Sequence, residues 1–177
     1  MSTLRVLTLC TGNAARSVMA GTMLAQLSDF EGLGLEIATA GTHAIENQPA
    51  STRVRSAVAA IEGLDHLPLR VHRSHQLTAE DCAWADLIVA MEADHVAYVR
   101  NHHPEAAERV ATMHRLVRVL PAEPVEPRAR IAAAYLGGSE LAEEVDVSDP
   151  LGGDQLVYNR CAEEIWGLSQ ALIVLLG

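Results

Sequence analysis

The sequence predicts one α/β domain of three layers over residues 1–177, a four-stranded parallel sheet flanked by helices on both faces. Three observations carry this. Short β-branched apolar runs alternate with longer amphipathic ones, the pattern of a parallel sheet covered on both sides. At 177 residues the chain is about one domain long, taking ~150 residues per domain. Hydrophobic residues make up 49%, enough to bury a sizeable core.

Taken in order, Leu4-Arg-Val-Leu-Thr-Leu9 is apolar and ends at a Thr-Gly-Asn turn, which reads as a buried strand. A helical stripe follows over Ser17–Leu27, opened by a serine. Leu35–Thr39 is the second strand, closed by Ala40-Gly41, and Ala50–Ile61 is a helix stopped by Gly63. Asp86–Met91 is the third strand, with a helix over Glu92–Asn101, and Arg109–Met113 is the fourth. Pro121, Pro124 and Pro127 punctuate a loop that runs into a weakly helical stretch, Arg128–Tyr135, stopped by Gly137-Gly138. This stretch reads as an elaborated connection delivering Asp149. A long helix, Asp154–Leu176, completes the fold. In such sheets the ligand site lies at the carboxyl ends of the strands, near the switch in strand order, so the end of the first strand is a privileged position.

Composition narrows the function. All 13 positive charges are arginines against 23 acids, a net charge of −10, which argues against a protein that coats nucleic acid or an anionic membrane. No apolar run reaches the ~18–20 residues needed to span a bilayer, and Met1–Arg5 opens no signal-peptide pattern. Three cysteines, Cys10, Cys82 and Cys161, cannot all pair with one another, and their scarcity predicts a cytoplasmic location.

At the first turn the chain reads Cys10-Thr11-Gly12-Asn13-Ala14-Ala15-Arg16-Ser17, C-x5-R-S between a strand and a helix. Main-chain N–H groups of such a turn converge on one point, and the helix start adds its positive dipole end. Gly12 is read as supplying a backbone conformation that a side chain would block. Arg16 can take two oxygens of a phosphoryl group with its fork. The same field favours the thiolate of Cys10, so attack at phosphorus through a phosphocysteine is the chemistry the motif describes. The Ser17 hydroxyl is placed to bond the sulfur, and the Asn13 amide to prop the loop.

The segment Leu9–Ser17 resembles the active-site loop of low-molecular-weight protein-tyrosine phosphatases, a family to which thioredoxin-coupled arsenate reductases and bacterial protein-arginine phosphatases are similar. Further matches follow in order: Thr39-Ala-Gly-Thr42, His72-Arg-Ser-His-Gln-Leu77, Ala85–Met91, and Val147-Ser-Asp-Pro150 with Gly152-Gly153 and Tyr158 behind it. The resemblance implies hydrolysis of a protein phosphate monoester, with phosphotyrosine the first choice of substrate. Cys10 is then the nucleophile, and Arg16 with residues 11–17 the phosphate cradle. Asp149 is the general acid that protonates the leaving group. It implies further that His43, Ile45 and Leu151 border the substrate pocket. No metal or organic cofactor is expected; the expected partners are a phosphorylated protein and a phosphate or sulfate ion in the loop.

Several positions depart from the family pattern. Ala15 stands where a second, protective cysteine is common, leaving Cys10 open to over-oxidation. Val18 and Gly21 replace a usual Pro and Glu. Leu151 replaces the aromatic that follows Asp-Pro in phosphotyrosine-specific members, and Asp-Pro-Leu-Gly-Gly is closer to the arginine-phosphatase branch. Ala14 matches neither branch. The alternatives are a protein-arginine phosphatase of the same fold, a catalytically poor phosphate-binding module, and an arsenate reductase-like protein. For that last reading Cys82 lies before the third strand on a helix, where a buried structural thiol is expected. The pairs His72/His75 and His102/His103 lack a matching set of metal-ligating partners and read as loop and helix-end residues.

Overall fold

The computed structural model describes residues 3–177. Four parallel strands, β1 (Arg5–Cys10), β2 (Glu36–Gly41), β3 (Leu87–Ala90) and β4 (Val110–Thr112), form one sheet in the order β2-β1-β3-β4. β1 pairs with β2 from Arg5↔Glu36 to Cys10↔Gly41, and with β3 from Val6↔Leu87 to Leu9↔Ala90. The chain therefore winds outward on both sides of β1. The strand order reverses there, and Cys10 ends that strand at the carboxyl edge.

Because β1 is central, five of its six residues are buried, and alternate side chains go to opposite faces. Val6 joins a core with α1 (Arg16–Glu31), α2 (Thr52–Ala59), α5 (Met113–Val119) and α7 (Gln155–Leu176). Leu7 and Leu9 join a second core on the other face with α3 (Ala79–Trp84) and α4 (Ala93–His102). These are the three expected layers. Among the described residues no helix is long and apolar enough to cross a membrane.

All four expected strands are present, shifted by a residue or two. The fourth stops early. Thr112 accepts the Arg115 N–H through its side chain and caps α5, so the apolar run through Met113 turns into a helix rather than extending the strand. α1 begins at Arg16, with Ala15 in the capping position and no side-chain cap. Ser17 is thus not the cap. The first N–H groups of α1 have no side-chain acceptor and point into the turn after β1. At the far end, Asp154 caps α7 by accepting the Val157 N–H.

The long connection before Asp149 is held at several points. α6 (Pro127–Ala133) is pinned by Arg128 on Asp86 and by Arg130 on the Leu175 carbonyl. Glu144 is buried and accepts from both the Thr112 N–H (2.8 Å) and its hydroxyl (2.7 Å). The Val147 N–H then donates to the Met91 carbonyl at 2.7 Å, laying residue 147 beside the end of β3. Asp149 is thereby placed at the carboxyl edge of the sheet, as the connection was expected to do.

Candidate active site

A cavity of about 370 Å³ opens at the end of β1, lined by Cys10, Thr11, Gly12, Ala14, Ala15 and Arg16 and, from other elements, by His43, Asp149, Leu151 and Tyr158. The sequence-predicted residues thus converge, with three qualifications. Asn13 and Ser17 are fully buried behind the loop rather than on its surface. Ile45 stands outside the cavity, 74% exposed, with its carbonyl accepting from the Ser74 hydroxyl. Leu151 is at the rim and 82% exposed, an open edge where an aromatic wall would stand.

Cys10 is 3% exposed at the cavity floor, with its sulfur 3.0 Å from the Ser17 hydroxyl. That hydroxyl also accepts from the Asn13 amide at 2.9 Å, which leaves its own hydrogen available to donate to a thiolate sulfur. The Asn13 amide donates as well to the Thr39 hydroxyl (2.9 Å), and its oxygen accepts the His75 N–H (2.9 Å).

The strained residue of the turn is Asn13, at φ 49°, and not Gly12 as expected: a Cβ on Gly12 would meet nothing within 4 Å. Asparagine tolerates the left-handed region, and here its side-chain bonds fix that conformation. The close approach that only glycine permits lies below, at Gly41 of β2. A Cβ there would sit 2.5 Å from the Thr11 carbonyl and 2.8 Å from the Asn13 nitrogen. His72 holds the loop from the side, donating through Nε2 to the Asn13 carbonyl at 2.9 Å. Burial pushes the His72 pKa down, opposed by that bond. His72 and its neighbour His75, which bonds Asp81, are thus engaged in the polar loop, as read from sequence.

Arg16 is 1% exposed, and its guanidinium joins three distant parts of the chain. Nη1 donates to Glu92 (2.5 Å) and to the Val147 carbonyl (2.9 Å), and Nη2 donates to Asp149 (2.8 Å). Both Nη1 protons are committed. Nε has no hydrogen-bond partner among the described residues, and together with Nη2, which Asp149 holds, it forms the edge of the guanidinium that can clamp an oxyanion at two points.

Glu92 is the site residue that sequence reasoning missed; it had been read only as a helix start. Its signal was its position, two residues past the end of β3 and beside the switch in strand order. His95, one turn on, was also missed. Its Nδ1 accepts the Glu92 N–H (3.0 Å), so the proton sits on Nε2, which donates to the Thr11 hydroxyl (2.9 Å).

Burial, aided by the charge of Arg16, pushes the His95 pKa from 6.5 down to about 4. The unfolded chain therefore binds a proton that the folded chain refuses between pH 6.5 and 4. Stability is expected to fall as pH drops through that window, by at most about 3 kcal/mol. Urea midpoints recorded from pH 7 down to 4.5 check this. His95→Gln keeps an amide donor toward Thr11 and is expected to flatten the slope; an unchanged slope would remove His95 from the explanation.

The other two thiols are buried, as expected. Burial raises Cys82 to about 11 and Cys161 to about 12. Neither lines the Cys10 cavity.

Comparison with known proteins points to one family. A family model described as "Low molecular weight phosphotyrosine protein phosphatase" matches residues 5–123. A low molecular weight protein-tyrosine-phosphatase of Streptomyces coelicolor is 30% identical, over 97% of this chain and 92% of its own. A protein-arginine-phosphatase of Geobacillus stearothermophilus is 27% identical, over 91% and 88%. Among solved structures, a low molecular weight protein tyrosine phosphatase from T. tengcongensis superposes with a TM-score of 0.76 at 32% identity, covering 97% of this chain and 98% of that one. The YwlE arginine phosphatase of G. stearothermophilus does so with a TM-score of 0.73 at 28% identity, covering 96% and 90%.

Proposed function

Since the chain belongs to the low molecular weight phosphotyrosine protein phosphatase family, we propose that it hydrolyses phosphotyrosine in proteins through a phosphocysteine on Cys10. The observation that carries this reading is the meeting of Cys10, Arg16 and Asp149 in one cavity at the uncapped start of α1.

The phosphoryl group enters over the sulfur, its oxygens taking the loop N–H groups and the Nε/Nη2 edge of Arg16. Cys10 Sγ attacks phosphorus and the bond to the tyrosine oxygen breaks. Asp149 gives its proton to that oxygen. Water then attacks the phosphocysteine, Asp149 takes a proton back, and the sulfur leaves with the electron pair as inorganic phosphate forms. The cradle stabilises the charge that grows on the equatorial oxygens in both steps. The Ser17 hydroxyl, aimed at sulfur, stabilises it as nucleophile and as leaving group.

Asp149 is bonded to Arg16 before substrate arrives. An incoming phosphoryl oxygen competes for Nη2, so binding releases the carboxyl group toward the leaving group. Its Oδ1 also accepts the Leu151 N–H at 3.0 Å, which keeps it at the cavity mouth.

A second reading, phosphoarginine as substrate, is favoured by the open rim at Leu151, which offers no ring to stack on a phenol. The deciding measurement compares phosphotyrosine and phosphoarginine versions of one peptide. The tyrosine reading expects kcat/KM at least about tenfold higher on phosphotyrosine, the span of about 1.4 kcal/mol in the transition state. The reverse order assigns the arginine substrate.

A further inference from the structure

A second cavity, of about 500 Å³, lies between α2 and the turn at residues 67–70. It is lined by Thr52, Arg55, Ser56, Ala59, His66 and Arg70. Two guanidinium groups, an imidazole and two hydroxyls thus face one hollow, with no carboxylate among the lining residues. In a chain of net charge −10 this is a local reversal of sign.

The arginines here also differ from the rest. Most others are tied to carboxylates or to main-chain carbonyls, as Arg115 is to Glu143 and Arg130 to the Leu175 carbonyl. Arg55 bonds only the Thr52 hydroxyl (3.2 Å), and Arg70 has no hydrogen-bond or ion-pair partner among the described residues. The acid nearest Arg70 in sequence, Asp65, does not line the hollow and accepts the Leu67 N–H at 2.8 Å. Uncompensated guanidinium groups around a hollow make a favourable site for an oxyanion.

The cavity is continuous in the chain with the catalytic one. Ser51 lines the first and Thr52 the second. Between them Arg53 extends its guanidinium over the ring of Tyr158, at 5.9 Å, and Tyr158 itself lines the catalytic cavity. We propose that this hollow is an accessory subsite that takes a carboxylate or phosphate side chain of the protein substrate while the scissile phosphoryl group sits over Cys10. This rests on the reading of the chain as a protein phosphatase. The volume exceeds what one oxyanion fills, and so admits an acidic side chain together with its neighbour.

The test uses three peptides carrying the phosphoresidue that the wild type hydrolyses: one with neutral flanks, one with glutamates before that residue, and one with glutamates after it. One acidic peptide is expected to show kcat/KM about tenfold above the neutral one at low salt, through KM, and less at high salt. In the double variant Arg55→Gln/Arg70→Gln that preference is expected to vanish, while turnover of p-nitrophenyl phosphate, too small to reach the subsite, stays at the wild-type rate and reports an intact fold. Equal rates on all three peptides with wild type, or a preference that survives the double variant, overturns the proposal. Free glutarate offers the same carboxylates unattached; stimulation of the neutral peptide by it would assign the hollow to a soluble effector and overturn the substrate role. Failure of wild type on p-nitrophenyl phosphate refutes the phosphatase reading instead. The acidic preference is then read as peptide affinity by fluorescence anisotropy, with the same two outcomes.

Discussion

Cys10→Ser is expected to lower kcat on p-nitrophenyl phosphate by on the order of 10⁴-fold or more, while phosphate binding and thermal stability stay close to wild type. The loss follows from the nucleophile. A serine hydroxyl in this cradle must lose a far less acidic proton than a thiol, and its neighbour, the Ser17 hydroxyl, is too weak a base to take it. The retained binding follows from the cradle. The loop N–H groups, the helix start and Arg16 are unaffected by the exchange of one buried atom, and those groups bind the oxyanion. Steady-state rates and phosphate titration of the two proteins check both halves. Equal, negligible rates for both, with phosphate bound by each, would identify a binding module that kept the fold and lost the chemistry.

Asp149→Asn is expected to have the next largest effect, and one of a particular shape. On an aryl phosphate with a poor leaving group, kcat falls about 10²–10⁴-fold, the usual worth of acid–base assistance. On one whose leaving group departs without a proton, the loss is expected to be far smaller. Phosphate affinity should move the other way. In the wild type the carboxylate holds Arg16 Nη2 at 2.8 Å and competes with the incoming oxyanion; a neutral amide competes less. The variant is expected to bind inorganic phosphate several-fold more tightly, since removal of one like charge beside a dianion is worth about 1 kcal/mol. A full rate on the poor leaving group would take Asp149 out of the mechanism, whatever the binding result.

How much of this was legible in the sequence depended on whether the signal was local. The four strands were visible because each is a short apolar run closed by a turn, and the loop because strand, Cys, Arg, Ser and helix fall in one stretch of chain. The end of β4 was misplaced because apolar Met113 continues the run; only the Thr112 cap, a side-chain bond, decides between strand and helix there. Gly12 drew attention because glycine usually marks positive φ. The Asn13 side chain instead satisfies that conformation, through contacts with Thr39 and His75 that no local pattern displays. Glu92 and His95 were missed for a related reason. Their roles arise from parallel pairing of β1 with β3, which sets residues 81 positions apart side by side. Ile45 was placed at the pocket by the resemblance of its loop to the family's, and the chain there turns its side chain to solvent.

The guanidinium of Arg16 binds segments near residues 16, 92 and 147–149 into one knot. On the proposed mechanism, Cys10 and its anion cradle are synthesised well ahead of the clamp's anchor, since the Val147 carbonyl lies 131 residues beyond Arg16. A polypeptide made only as far as Glu92 would then hold the Cys10 sulfur without the anchored guanidinium that the proposed turnover needs. On that mechanism competence waits for residues 147–149 to fold back against Arg16.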